Sequence, residues 1–175
     1  MPARLVTTGS KSLLEALPGH VKGLHAENRS VLLITTSHPA PVLLRRLGEA
    51  GVNLKRVFIL DAVGSRAGVE RTNDPEHLMY ISAPNQVELI AMRAEKVIRQ
   101  KAEGMPHIVI LTCNSFQLYN EPLALEELVR YVVLNLMRPK AWIDFVLETD
   151  APIDADFRDF LESFLETRVP LGAAA

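Results

Sequence analysis

A chain of 175 residues, 48% apolar and 23% charged, has the length and apolar content of one folded domain with a full core. The composition excludes a disordered chain. A formal net charge of −2 gives no electrostatic reason to expect nucleic acid or an anionic membrane as a partner.

The first strand signal covers residues 5–7 and leads into Thr8-Gly9-Ser10-Lys11-Ser12. A phosphate loop reads Gly-x4-Gly-Lys-Ser/Thr between a strand and a helix, where backbone N–H groups cradle phosphate. Lys11 and Ser12 match its last two positions, but Ser10 stands at the second glycine and Leu5 at the first. Capping of a following helix by Thr8 or Ser10 is the plainer reading. Lys11 precedes Val31 by about the length of a helix and a turn. Pro18-Gly19-His20-Val21-Lys22-Gly23-Leu24-His25 reads as a loop carrying two exposed histidines, with no third ligand to make a metal site.

Residues 31–36 form a continuous apolar, β-branched run ending on two threonines, as expected of a strand buried on both faces. A short helix follows over residues 41–49. Val57-Phe58-Ile59-Leu60-Asp61 is a second such strand, and it stops on a carboxylate that either caps the next turn or touches a ligand. A weak strand covers residues 79–82. An amphipathic helix spans residues 84–101, with Pro84 in its first turn and Val87, Ile90, Ala91, Ala94 and Ile98 on one face.

Residues 107–112 make a third strong strand, followed by Cys113-Asn114-Ser115. Cys113 is the single cysteine, which excludes an internal disulfide, suits a reducing compartment and makes the cytoplasm the expected location. Its thiol reads as structural, because His107 begins the same strand, too far along it to act as its base. Residues 121–137 repeat the helical pattern with Leu125, Leu128, Val129, Val132, Val133 and Leu136. The apolar segment over 129–137 is too short to cross a bilayer. A strand over 142–147, a helix over 156–166 and a strand over 169–171 complete the order, and residues 172–175 read as a frayed tail. Asp144, Glu148, Asp150, Asp154, Asp156 and Asp159 are expected on solvated faces or as caps, since calcium-loop spacing is absent.

Strands alternating with helices imply right-handed crossovers and a three-layer α/β sandwich with a mostly parallel sheet, here one domain over residues 1–175. Side chains beyond the carboxyl ends of such strands share one crevice. Here they are Thr35, Thr36, Ser37, Asp61, Thr112, Cys113, Asn114 and Ser115, a polar set with one acid.

In order and spacing the chain resembles the KaiC-like branch of the RecA-type P-loop ATPases. Residues 31–36 resemble the strand after the phosphate loop, residues 39–51 the helix that follows it, and Phe58-Ile59-Leu60-Asp61-Ala62 the next strand. Residues 108–111 resemble the Walker B strand, and Asn114-Ser115-Phe116-Gln117-Leu118-Tyr119 the turn after it. The resemblance implies a RecA-like fold and assembly side by side. Thr112 stands where the family has its magnesium-linked aspartate, and Thr36 and Ser37 stand at its catalytic acid pair. None of the three takes a proton from water near neutral pH or binds magnesium strongly.

The expectation is therefore a non-catalytic regulatory or protein-interaction module that associates with itself or with another protein. It has no catalytic residue, metal or cofactor, and its partners are neither nucleic acid nor membrane. Such a module should carry an exposed apolar patch. The alternative is a nucleotide- or phosphate-binding protein with weak or no ATPase activity, holding ATP and magnesium through Gly9, Ser10, Lys11, Ser12, Thr36, Ser37, Asp61, Thr112, Asn114 and Ser115.

Overall fold

Every apolar run read as a strand becomes one. A computed structural model describes residues 3–9, 12–63, 77–100, 104–136, 141–165 and 168–172. The strands are β1 (Ala3–Thr8), β2 (Arg29–Thr35), β3 (Val57–Asp61), β4 (Leu78–Tyr80), β5 (Met105–Leu111), β6 (Trp142–Glu148) and β7 (Arg168–Pro170). They form one sheet in the order β4-β3-β2-β5-β6-β1-β7, and each pairing is parallel.

The helices are α1 (Leu13–Ala26), α2 (Ala40–Glu49), α3 (Val87–Gln100), α4 (Cys113–Phe116), α5 (Pro122–Leu136) and α6 (Ala155–Phe164). Alternate strand residues point to opposite faces, so the sheet carries two cores. Val31, Leu33, Val109 and Val146 pack with Leu13, Leu17, Val21, Leu43 and Leu47 of α1 and α2. Leu32, Ile34, Ile108 and Phe145 pack with Ile90, Ala94, Val129, Phe157 and Leu161 of α3, α5 and α6.

Three local expectations change. Residues 18–25 are helical rather than looped, and His20 is buried. Pro18 costs a helix interior about 3 kcal/mol. Burial of Leu13, Leu17, Val21 and Leu24, at roughly 1.5–3 kcal/mol each, outweighs it. Pro84 precedes α3 instead of opening it, because residues 83–86 close a turn through the Gln86 N–H and the Ala83 carbonyl. Asp144 and Glu148 are buried within β6 rather than solvated. A strand covered on both faces leaves no solvated side for them.

From β2 the chain steps outward to β3 and β4, then returns to place β5 on the other side of β2. The carboxyl ends of β2 and β5 therefore flank the topological switch point, the usual ligand crevice of open α/β sheets.

Candidate functional site

The pairing of β2 with β5 aligns Thr35 with Leu111, so the residues just beyond each strand meet. Thr36 Oγ1 and Ser115 Oγ share a hydrogen bond, and Ser37 Oγ lies 2.8 Å from Thr112 Oγ1. Ser115 Oγ also donates to the Thr112 carbonyl at 2.8 Å. Thr36, Thr112 and Ser115 are buried. Their hydroxyls bond one another at the switch point, and four hydroxyls supply neither a strong metal ligand nor a base.

Thr112 sits at φ 63°, ψ 69°, in the left-handed region. A β-branched residue there costs about 1–3 kcal/mol. The conformation turns the chain from β5 into α4, and the Ser115 N–H and hydroxyl both close on the Thr112 carbonyl to hold it. Beside it, Ser37 Oγ is 2.8 Å from His38 Nδ1, and burial lowers the imidazole's pKa below its ordinary value. A serine beside a histidine is the start of a nucleophile, but a catalytic imidazole also needs a third group to orient it. Asp61, the acid of this end, accepts at Oδ2 from the Ala40 N–H at 2.7 Å and at Oδ1 from the Val63 N–H at 2.8 Å. It caps α2 and the turn after β3, so a carboxylate of the chain itself occupies that helix start.

The remaining expected residues do not converge with these. Asn114 donates to the carbonyls of Glu148, Ala151 and Pro152 and accepts from the Glu148 N–H at 2.9 Å, tying α4 to the end of β6. Ser12 donates to the Gly9 carbonyl at 2.9 Å and meets Thr8 Oγ1 at 3.2 Å, closing the turn between β1 and α1 on itself. A side chain at Gly9 would stand 3.6 Å from Asp150 Oδ2, so an acid lies against the turn where phosphate would sit. Ser10 and Lys11 lie outside the described residues. Burial pushes the Cys113 thiol up to about 12, which makes it a core side chain rather than a nucleophile.

A second polar cluster lies toward the amino ends of the strands, and sequence reasoning missed it. Arg4 Nε is 2.6 Å from Asp144 Oδ1, His20 Nε2 is 2.8 Å from Asp144 Oδ2, and His107 Nε2 is 2.9 Å from the same oxygen. The approach of His107 is outside the angle of a good hydrogen bond, so that contact is chiefly electrostatic. Arg29 Nη1 donates to His107 Nδ1 at 3.2 Å, its Nε donates to Glu27 Oε2 at 2.7 Å, and its guanidinium stacks 4.5 Å from the Trp142 ring centre. Burial alone would raise the Asp144 pKa, but contacts from His107, His20 and Arg4 outweigh it and hold the carboxyl well below its ordinary range. Burial, helped by the Arg29 charge, lowers the His107 pKa against the pull of Asp144.

His20, His107 and Asp144 are close enough to surround a cation. Their protons oppose it. Arginine has no acceptor, so His107 Nδ1 accepts from Arg29 and the ring proton resides on Nε2, facing Asp144. A metal on Nε2 would move that proton to Nδ1, against the Arg29 N–H groups, and would also face the Arg4 guanidinium. The donor set fits a buried charge clamp and does not fit a metal. The signal for it was in the sequence: a carboxylate inside the apolar run Trp142-Ile143-Asp144-Phe145-Val146 must be buried, and a buried carboxylate must be paired.

The third feature is an apolar groove between α3 and α5, of about 410 Å³, lined by Val87, Glu88, Ala91, Met92, Ala124, Glu127, Leu128 and Tyr131. Along α5, Leu123 and Leu134 are exposed by 67% and 66%, and Leu118 is exposed in the turn after α4.

No family model matches the chain, and no curated protein matches it at a significant level. Among solved structures it is similar to a KaiC-like protein from the hyperthermophilic archaeon Pyrococcus horikoshii OT3, with a TM-score of 0.60 and 15% identity over 93% of this chain and 67% of that one. It is also similar to an uncharacterised Pyrococcus horikoshii protein solved in complex with an unknown peptide, with a TM-score of 0.57 and 14% identity over 94% of this chain and 73% of that one. These likenesses show the fold alone, a parallel α/β sandwich like that of the KaiC-like protein.

Proposed function

We propose that this chain is a non-catalytic module with the KaiC-like fold that acts by binding protein chains. The observation that carries the reading is the contrast at its surface. The switch point is filled by hydroxyls bonded to one another, while α3 and α5 leave large apolar side chains in water. A monomer gains nothing from exposing Leu123, Tyr131 and Leu134 on one helix. The Pyrococcus horikoshii protein solved with an unknown peptide supports the same class of function. Assembly with further copies of the chain belongs to this reading. Sheet edges are poor candidates for it, because β4 and β7 each have three residues and β7 ends on Pro170.

The competing reading, an ATP or phosphate binder, is tested by isothermal titration with ATP and ADP, with and without magnesium, on the parent protein and on Lys11→Ala and Asp61→Ala. The interaction module gives no saturable heat and no thermal shift at millimolar nucleotide. Saturable binding that both substitutions remove would overturn it. Sedimentation velocity across a concentration series reports on assembly in the same preparation.

A further inference from the structure

The α3–α5 groove has a polarity as well as an apolar floor. On each helix one glutamate has a basic residue one turn on. Glu95 pairs with Arg99 at 2.8 Å and Glu126 with Arg130 at 3.6 Å, each at i,i+4. The two glutamates that line the groove break this pattern. One turn after Glu88 stands Met92, and one turn after Glu127 stands Tyr131. Met92 and Tyr131 are both exposed, by 63% and 41%. Neither Glu88 nor Glu127 has an ion pair among the described residues, and no basic side chain lines the groove.

Both helices lead into parallel strands of one sheet, so they run in the same direction. Each wall of the groove therefore carries a carboxylate, with a large apolar side chain one turn toward the carboxyl end of its own helix. The dipole of α3 accounts for Glu88, which lies in the first turn, but it does not account for Glu127 in the middle of α5.

Resting on the reading of the chain as an interaction module, we infer that this groove takes an amphipathic helix of another protein. That helix presents a lysine or arginine to Glu88 and Glu127 and its leucine-like side chains to Met92, Leu128 and Tyr131. The groove spans about two turns of α5, roughly 10 Å, which matches the i, i+3, i+4 and i+7 anchors of helix-in-groove recognition. A second copy is the poorer occupant, because pairing this surface with itself about a twofold axis sets the unpaired carboxylates of the two copies on one interface.

The test uses two fluorescein-labelled helical peptides of 18 residues, one alternating leucine and lysine at helical spacing and one with glutamate in place of each lysine, titrated by fluorescence anisotropy. The Leu/Lys peptide binds the parent protein saturably and the Leu/Glu peptide at least tenfold more weakly. Glu88→Lys combined with Glu127→Lys inverts that preference. Asp159→Lys on α6, an equal change of charge per site outside the groove, leaves it in place. Equal affinity for both peptides, or an equal effect of Asp159→Lys, overturns the inference and leaves the interaction module standing. Self-association of the parent that Tyr131→Glu abolishes also overturns it, in favour of a second copy as occupant. Absence of peptide binding together with a monomer at all concentrations overturns both readings.

Discussion

The two ends of the sheet are polar in opposite ways. At the carboxyl end, hydroxyls from β2 and β5 bond one another and the acid Asp61 caps a helix. At the amino end, Arg4 of β1, His20 of α1 and His107 of β5 converge on Asp144 of β6, and Arg29 of β2 bonds His107. Where β2 and β5 end, the described side chains are hydroxyls and the nearby acid Asp61 is engaged as a cap, whereas the amino end holds a buried cluster of charges. The lesson is that charge in this molecule marks where the chain secures its own strands. Arg4, His107 and Asp144 stand on β1, β5 and β6, three neighbouring strands, so their clamp fixes the order of that part of the sheet.

If the amino end is such a clamp, removing its centre should be the costliest polar change in the protein. Asp144→Asn leaves the Arg4 guanidinium buried without a counter-charge and removes the carboxylate that His20 and His107 contact, and it should lower stability by about 3–5 kcal/mol in urea unfolding. A loss below about 1 kcal/mol would break the comparison.

Acid should act through the same end. The folded pKa of His107 lies below its ordinary value of 6.5, so its contribution is complete above that pH and is lost as pH falls below it, by up to about 1.4 kcal/mol per pH unit. The folded Asp144 pKa is also lowered, so its contribution is present above its ordinary value of 3.8 and is lost on further acidification. His25 and His38, both lowered chiefly by burial, add in the same direction as His107. Trp142, the single tryptophan, stacks on Arg29, and its emission reports this titration directly. His107→Gln should flatten the limb just below pH 6.5, and an unchanged limb would assign it to the other histidines.

Changes at the carboxyl end should be smaller. Thr112→Val keeps the β-branch in the left-handed region and removes the partner of Ser37, at a cost of about 1–2 kcal/mol. Thr112→Gly relieves the backbone and should be nearly neutral by the same unfolding measurement. A reversed order would mean that the left-handed turn is not strained. The smallest effect belongs to the exposed apolar side of α5, where Leu134→Ser should change stability by less than about 0.5 kcal/mol while removing apolar surface.

The strands were legible because burial on both faces writes itself locally, as in residues 57–61, where the expected strand and β3 coincide. Helix α1 was hidden by Pro18, Gly19 and Gly23, whose local preferences lost to four buried aliphatic side chains. Of the ten residues expected at one site, Thr36 meets Ser115 and Ser37 meets Thr112, since β2 and β5 are neighbours. Asn114 and Ser12 are engaged elsewhere, because β6 and β1 lie on the far side of β5.

The sequence by itself determined the strands and most of the helices, that the sheet is mostly parallel, and that hydroxyl side chains follow β2 and β5. These depend on residue type and on spacing within a few turns of chain. Only the tertiary structure decided that Arg4, His20 and His107 meet Asp144, and that Glu88 and Glu127 face one groove. Such encounters join residues far apart in the chain, and they follow from strand order, which is set by how whole helices cross the sheet and leaves no trace in any local pattern.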